Sequence, residues 1–154
     1  MMTFLEHRIP PPLLTLVIGG AMAAVLLGQG PAMLPQAYRW GLVAVFSIAG
    51  ALFGFPAFRE FAKARTTINP VAIDQASSLV TSGIYRVTRN PMYLALALLL
   101  CAWAFCLSRP LAALGPVVFV LFINRFQIAP EERALTAKFG RAYLDYQRSV
   151  RRWL

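Results

Sequence analysis

Apolar residues in this chain gather into long runs that hold few charges. Four stand out: Leu13 to Gly28, Tyr38 to Phe58, Pro91 to Leu107 and Leu111 to Ile123. Such runs are the signature of membrane helices. The first is at the short end for a span, and its Gly19, Gly20, Ala21, Ala23 and Ala24 permit close helix contact. In the second, Gly41, Ala44, Gly50, Ala51 and Gly54 form a candidate packing face. Tyr38 and Trp40 sit where interfacial aromatics belong, and Pro56 is placed to kink the far end. Only Ser108-Arg109-Pro110 separates the third run from the fourth, so these two predict an antiparallel hairpin.

Polar segments divide the rest. The stretch from Arg59 to Asn90 is a long hydrophilic connection with a turn signal at Asn69-Pro70. It ends in Asn90-Pro91, which reads as a helix N-cap and first helical position. Ala129-Pro130-Glu131-Glu132 reads as the start of a further helix, with acids complementing its dipole. Leu135, Phe139, Ala142, Tyr143, Tyr146 and Val150 then make one helical stripe. Gly140 within it costs ~1 kcal/mol, which points to close approach of a backbone or ligand there. The pattern predicts an all-α, polytopic membrane helical bundle: four transmembrane helices and a C-terminal amphipathic cytoplasmic helix. One domain over 1–154 divides into two N-terminal spans (1–58), a connection (59–90), the hairpin (91–128) and the C-terminal helix (129–154).

Composition agrees. With 58% hydrophobic and 14% charged residues among 154, the chain is too apolar for an ordinary soluble domain. The net charge of +9 does not signal nucleic acid, because the basic residues flank the ends of the apolar runs rather than forming a separate patch. In a four-span arrangement 13 Lys and Arg fall on one side and only Arg39 and Arg109 on the other. The positive-inside rule then puts both termini in the cytoplasm of a multi-pass membrane protein, in the inner membrane if the cell is bacterial. Cys101 and Cys106 share one apolar run and read as small buried hydrophobes. His7 is the only histidine, so no metal site is expected. The polar, proline-rich Met1 to Pro12 carries no cleavage pattern after the first run, so no removable signal is expected either.

Two dense polar motifs remain: Leu79 to Tyr93 (Leu-Val-Thr-Ser-Gly-Ile-Tyr-Arg-Val-Thr-Arg-Asn-Pro-Met-Tyr) and Glu131 to Tyr146 (Glu-Glu-x-x-Leu-x-x-x-Phe-Gly-x-x-Tyr-x-x-Tyr). Taken singly, each feature also has a plain reading. Glu131 and Glu132 suit a helix dipole, and Arg86 and Arg89 suit the positive-inside rule. The tyrosines suit an aromatic belt, Tyr146 best of all. Arg125 is different, because a charge just inside an apolar end is costly unless it is paired or serves a site.

Together, in this order around a hairpin, the motifs resemble the isoprenylcysteine carboxyl methyltransferase family, within a wider group that includes the phospholipid N-methyltransferases. The resemblance covers roughly Leu79 to Trp153. It implies an integral membrane methyltransferase using S-adenosylmethionine without the soluble nucleotide-binding fold. Carried over by residue, the family's cofactor contacts fall on Ser77, Leu79, Val80, Tyr85, Arg89, Asn90, Pro91, Met92, Tyr93 and Glu131. Asn90 stands where the family pattern Arg-His-Pro-x-Tyr has histidine. The family's arginine for a substrate carboxylate falls on Gln127, which leaves Arg125, two residues earlier, as the candidate for that role.

The expected acceptor is hydrophobic or lipid-linked, reached from the bilayer, and a carboxylate suits it best. A carboxylate is ionised at neutral pH and needs no base. An amine arrives protonated, and only Glu131 or Glu132 could deprotonate it. Glu132 and Arg125 are therefore the candidate catalytic residues. A phospholipid N-methyltransferase is one alternative, and a non-catalytic cofactor-binding membrane partner or sensor is another. A sterol-type reductase needs more spans than this chain supplies.

Overall fold

The computed structural model describes residues 9–25, 32–64 and 78–154. Ser77, the Asn69-Pro70 turn signal and His7 lie outside them. The described residues build helices and turns, with no strand among them. Six α-helices follow in order: α1 (Pro11–Val25), α2 (Gln36–Ala64), α3 (Pro91–Leu107), α4 (Leu114–Ile123), α5 (Ala129–Phe139) and α6 (Arg141–Ser149).

Among the described residues two helices are long and apolar enough to cross a membrane: Gln36–Lys63, and the continuous helix Pro110–Phe139 that contains α4 and α5. Their outward faces reverse the pattern of a soluble protein. On α2 the exposed side chains Val45, Ile48, Leu52 and Phe55 recur at three- and four-residue spacing, and on α4 Leu114, Val117, Val118 and Leu121 do the same. Apolar stripes that face outward need lipid or protein around them.

Helix α3 is the centre, with α1, α2 and α4 all packed on it. Gly50 and Gly54 of α2 let its backbone approach closely. A Cβ on Gly50 would stand 3.2 Å from the Ala95 carbonyl oxygen, and one on Gly54 3.3 Å from the Ala95 Cβ. The small-residue face expected in the second run is thus used at these two positions, while Gly41 has nothing within 4 Å. The core gathers Leu14, Met22, Leu100, Phe119, Ile123 and Ile128 from α1, α3, α4 and the turn after it. The hairpin forms where expected: α3 ends at Ser108, in the left-handed region (φ 53), and its N–H bonds Ala104 at 2.9 Å. Ser108 also ties down the segment just before α2, since its Oγ accepts the Leu34 N–H at 2.9 Å.

Three boundaries depart from the sequence reading. Helix α2 does not stop at Phe58 but runs to Ala64, so Glu60 and Lys63 belong to a helix rather than a connection. Ala129-Pro130 opens α5 as expected, but not as a free helix end. The chain passes from α4 through one π turn, Asn124–Ile128, directly into α5. Proline inside a helix lacks a donor and collides with the carbonyl four residues back. Widening the preceding turn relieves this: the Ala129 N–H bonds Asn124, five residues back, just before Pro130. Finally, Gly140 splits the expected single amphipathic helix into α5 and α6. Its φ of 53° and ψ of −124° suit only glycine, and a Cβ there would meet no other protein atom within 4 Å, so conformation rather than close approach of another backbone accounts for the residue.

Candidate active site

The two motifs meet at one end of the bundle, and the contacts are specific. The first motif is anchored to α2 by the Ser82 hydroxyl, which donates to the Glu60 carboxylate. Lys63 pairs with Glu60 at 2.7 Å. Gly83, at φ 57, lies so close that a Cβ would come within 2.7 Å of the Glu60 side chain. A 3₁₀ turn, Gly83–Arg86, then directs Tyr85 inward, edge-on to Phe61 with ring centroids 5.6 Å apart. Leu79, Val80 and Met92 are half-buried.

The central pair joins the motifs directly: the Tyr93 hydroxyl, one turn into α3, donates to the Glu131 carboxylate of α5. Next to it, Glu132 accepts from Arg89 at 2.7 Å and from Arg152 at 3.1 and 2.5 Å. A dipole role for these acids falls away, because both lie within a continuous helix. Tyr146, read as a belt residue, instead donates to the Tyr85 carbonyl at 2.7 Å and so links the motifs a second time. Burial pushes the Tyr85 and Tyr146 hydroxyls well above the usual phenol range and Tyr143 up to about 12. All three therefore stay neutral at physiological pH, as donors rather than bases.

Asn90 precedes α3 as expected, with Pro91 in the first turn, but its side chain makes no cap. It donates instead to the Arg152 carbonyl at 2.9 Å. Arg89 reaches the carbonyls of Gln147 at 3.0 Å and Val150 at 2.6 Å besides Glu132. Sequence reasoning missed the C-terminal partners Arg152 and Trp153, because charge beside a membrane end already accounted for them. The available signal was the polar run Thr88-Arg89-Asn90 at the mouth of an apolar helix, whose donors need acceptors from elsewhere in the chain.

Arg125 lies on the π turn, exposed, with its guanidinium 5.6 Å from the Phe126 ring centroid. Gln127 is wholly buried and donates to the Ile9 carbonyl at 2.8 Å. The structure therefore brings together Tyr85, Arg89, Asn90, Tyr93, Glu131 and Glu132, with Arg125 on the turn just before the acidic pair. Among the described residues no group of histidine, cysteine and acids could hold a metal ion.

An uncharacterized protein of Haemophilus influenzae is 54% identical over 63 residues, which is 41% of this chain and the whole of that protein. No solved structure matches the chain. The family model described as phospholipid methyltransferase matches residues 38–142, a stretch that takes in α2 from Tyr38 onward, the first motif, the hairpin and the acidic pair of α5. The chain belongs to the phospholipid methyltransferase family.

Proposed function

We propose that this protein is a multi-pass membrane enzyme that moves a methyl group from S-adenosylmethionine to a hydrophobic or lipid-linked carboxylate. The observation that carries the reading is the Tyr93–Glu131 pair, which joins the two motifs at the end of the bundle where the apolar helices give way to polar chain. Four spans fit the packing. Helix α3 lies among α1, α2 and α4, so a bilayer crossed by α2 and α4 encloses it as well. Its 17 residues extend about 26 Å, close to the hydrocarbon thickness. The charge count supports a cytoplasmic side for the two motifs.

The donor set suits such a cofactor. Glu131 offers a carboxylate held in place by Tyr93, with further acceptor capacity for ribose hydroxyls or a cationic group. Leu79, Val80 and Met92 offer apolar surface beside Tyr85. Asn90 and Arg89 shape the turn into α3, and Ser77 completes the expected set. When bound, S-adenosylmethionine supplies a methyl group on a positively charged sulfur. Held by Glu131 and the first motif, that group would supply an electrophilic methyl, and an acceptor already ionised would need no residue of this chain to take a proton from it. Opposite charges cancel in such a transfer, so exclusion of water and alignment of the reactants are what the protein must provide, up to ~7–11 kcal/mol. Arg125, exposed at the border between apolar α4 and polar α5, is assigned to the acceptor's carboxylate. Glu132, engaged by two guanidiniums, is assigned to holding α5 in register rather than to proton transfer.

The test is binding of labelled S-adenosylmethionine to detergent-purified protein. Glu131→Ala and Tyr93→Ala should each weaken it tenfold or more, about 1.4 kcal/mol. Wild-type affinity in both variants would refute the assignment.

A further inference from the structure

The segment Val150–Trp153, just after α6, is tied to the rest of the bundle by specific contacts. Backbone and side-chain groups from Val150 to Trp153 satisfy the segment that leads into α3. The Arg89 N–H bonds the Arg151 carbonyl at 2.9 Å. The Arg152 carbonyl accepts both the Thr88 hydroxyl at 3.2 Å and the Asn90 amide at 2.9 Å. Thr88 is wholly buried, so without this tail its hydroxyl would lose its acceptor in a dry place. The same arginine turns its side chain the other way, its Nε and Nη2 reaching the two carboxylate oxygens of Glu132. Trp153 adds a third attachment, its Nε1–H donating to Asn124 Oδ1 at 3.1 Å in the π turn.

We infer that the tail Val150–Trp153 is a clasp, with Arg152 as its positioning residue, that sets the relation between Tyr93 and Glu131. Arg152 grips α3 through Asn90, three residues from Tyr93, and grips α5 through Glu132, the neighbour of Glu131. Adjacent residues on a helix are related by a fixed rotation, so fixing Glu132 fixes the direction of Glu131. The fork of a guanidinium matches a carboxylate in a way an ammonium cannot. The clasp thus acts on the site without touching what the site binds. As a role in catalysis this rests on the proposed function; as a mechanical statement it does not.

Two measurements on detergent-purified protein test it. The first is amide hydrogen exchange without any cofactor. Arg152→Ala, which removes the guanidinium alone, should speed exchange at least tenfold over residues 129–134. Removal of 150–154, which takes the carbonyl acceptors as well, should do so over 85–97 too, and both should leave 100–107 as in wild type. Unchanged exchange in the segments named for either variant overturns the clasp, and so does uniform acceleration along the chain, which marks general destabilisation. The second is a double-mutant cycle on S-adenosylmethionine affinity. Arg152→Ala should weaken binding about tenfold, Arg152→Lys should restore only part of it, and in the Glu131→Ala background Arg152→Ala should add less than twofold. Fully additive losses overturn action through Glu131. If wild-type protein binds no S-adenosylmethionine while the segmental exchange change is present, the functional reading fails and the clasp is supported.

Discussion

Glu132→Ala separates the two acids of α5 by a stability measurement. Glu132 bridges Arg89 at 2.7 Å and Arg152 at 2.5 Å, with side-chain exposures of 14% for Glu132, 11% for Arg89 and 40% for Arg152. Removing one partner of a fully buried pair costs about 3–5 kcal/mol, because an uncompensated charge is left behind. Arg152 is too exposed for the full penalty, and Arg89 keeps its carbonyl acceptors on Gln147 and Val150. The loss should therefore be about 2–3 kcal/mol. Glu131→Ala removes one hydrogen bond and relieves a buried carboxylate, so its cost should be under about 1 kcal/mol. Equilibrium unfolding in mixed micelles, followed by tryptophan fluorescence, reads both. Equal losses in the two variants, or less than about 1 kcal/mol for Glu132→Ala, would refute the division into a structural and a binding acid.

Two further outcomes follow from the fold. Gly50→Val places a side chain against the Ala95 carbonyl and Leu99 and should destabilise by about 1–3 kcal/mol in the same unfolding assay, whereas Gly41→Val, with open space, should be near neutral. Reporter fusions should place Leu154 in the cytoplasm and an insertion at Arg109 on the opposite side; a fusion at Leu154 reporting from outside would overturn the four-span arrangement.

Much of this architecture was legible in the residues. The third run is α3 residue for residue, since Pro91 and Ser108 bound it in sequence as in space. The hairpin followed from a connection too short for anything else, and the meeting of the motifs followed from their places at its two ends. What the sequence hid were features that depend on partners far away. Pro130 looks like a helix start, because nothing local announces that a π turn will carry the helix through it. Gly140 marked a special position, but spacing alone does not separate a backbone bend from close packing. Arg152 and Trp153 look like any basic, aromatic membrane flank until their acceptors at Glu132 and Asn124 are seen. Asn90 was placed correctly before α3, yet its side chain serves the tail instead of the cap, a choice settled by contacts 62 residues away.

The central claim is that the Tyr93–Glu131 site moves a methyl group to a lipid-soluble carboxylate. The most direct test gives purified protein methyl-labelled S-adenosylmethionine and a lipid extract, then treats the extracted product with mild alkali. A methyl ester releases its label as volatile methanol, whereas a methylated amine keeps it. The account predicts alkali-labile label formed by wild type and lost with Glu131→Ala. Alkali-stable label in a phospholipid headgroup, or no transfer at all by cofactor-bound protein, would contradict it.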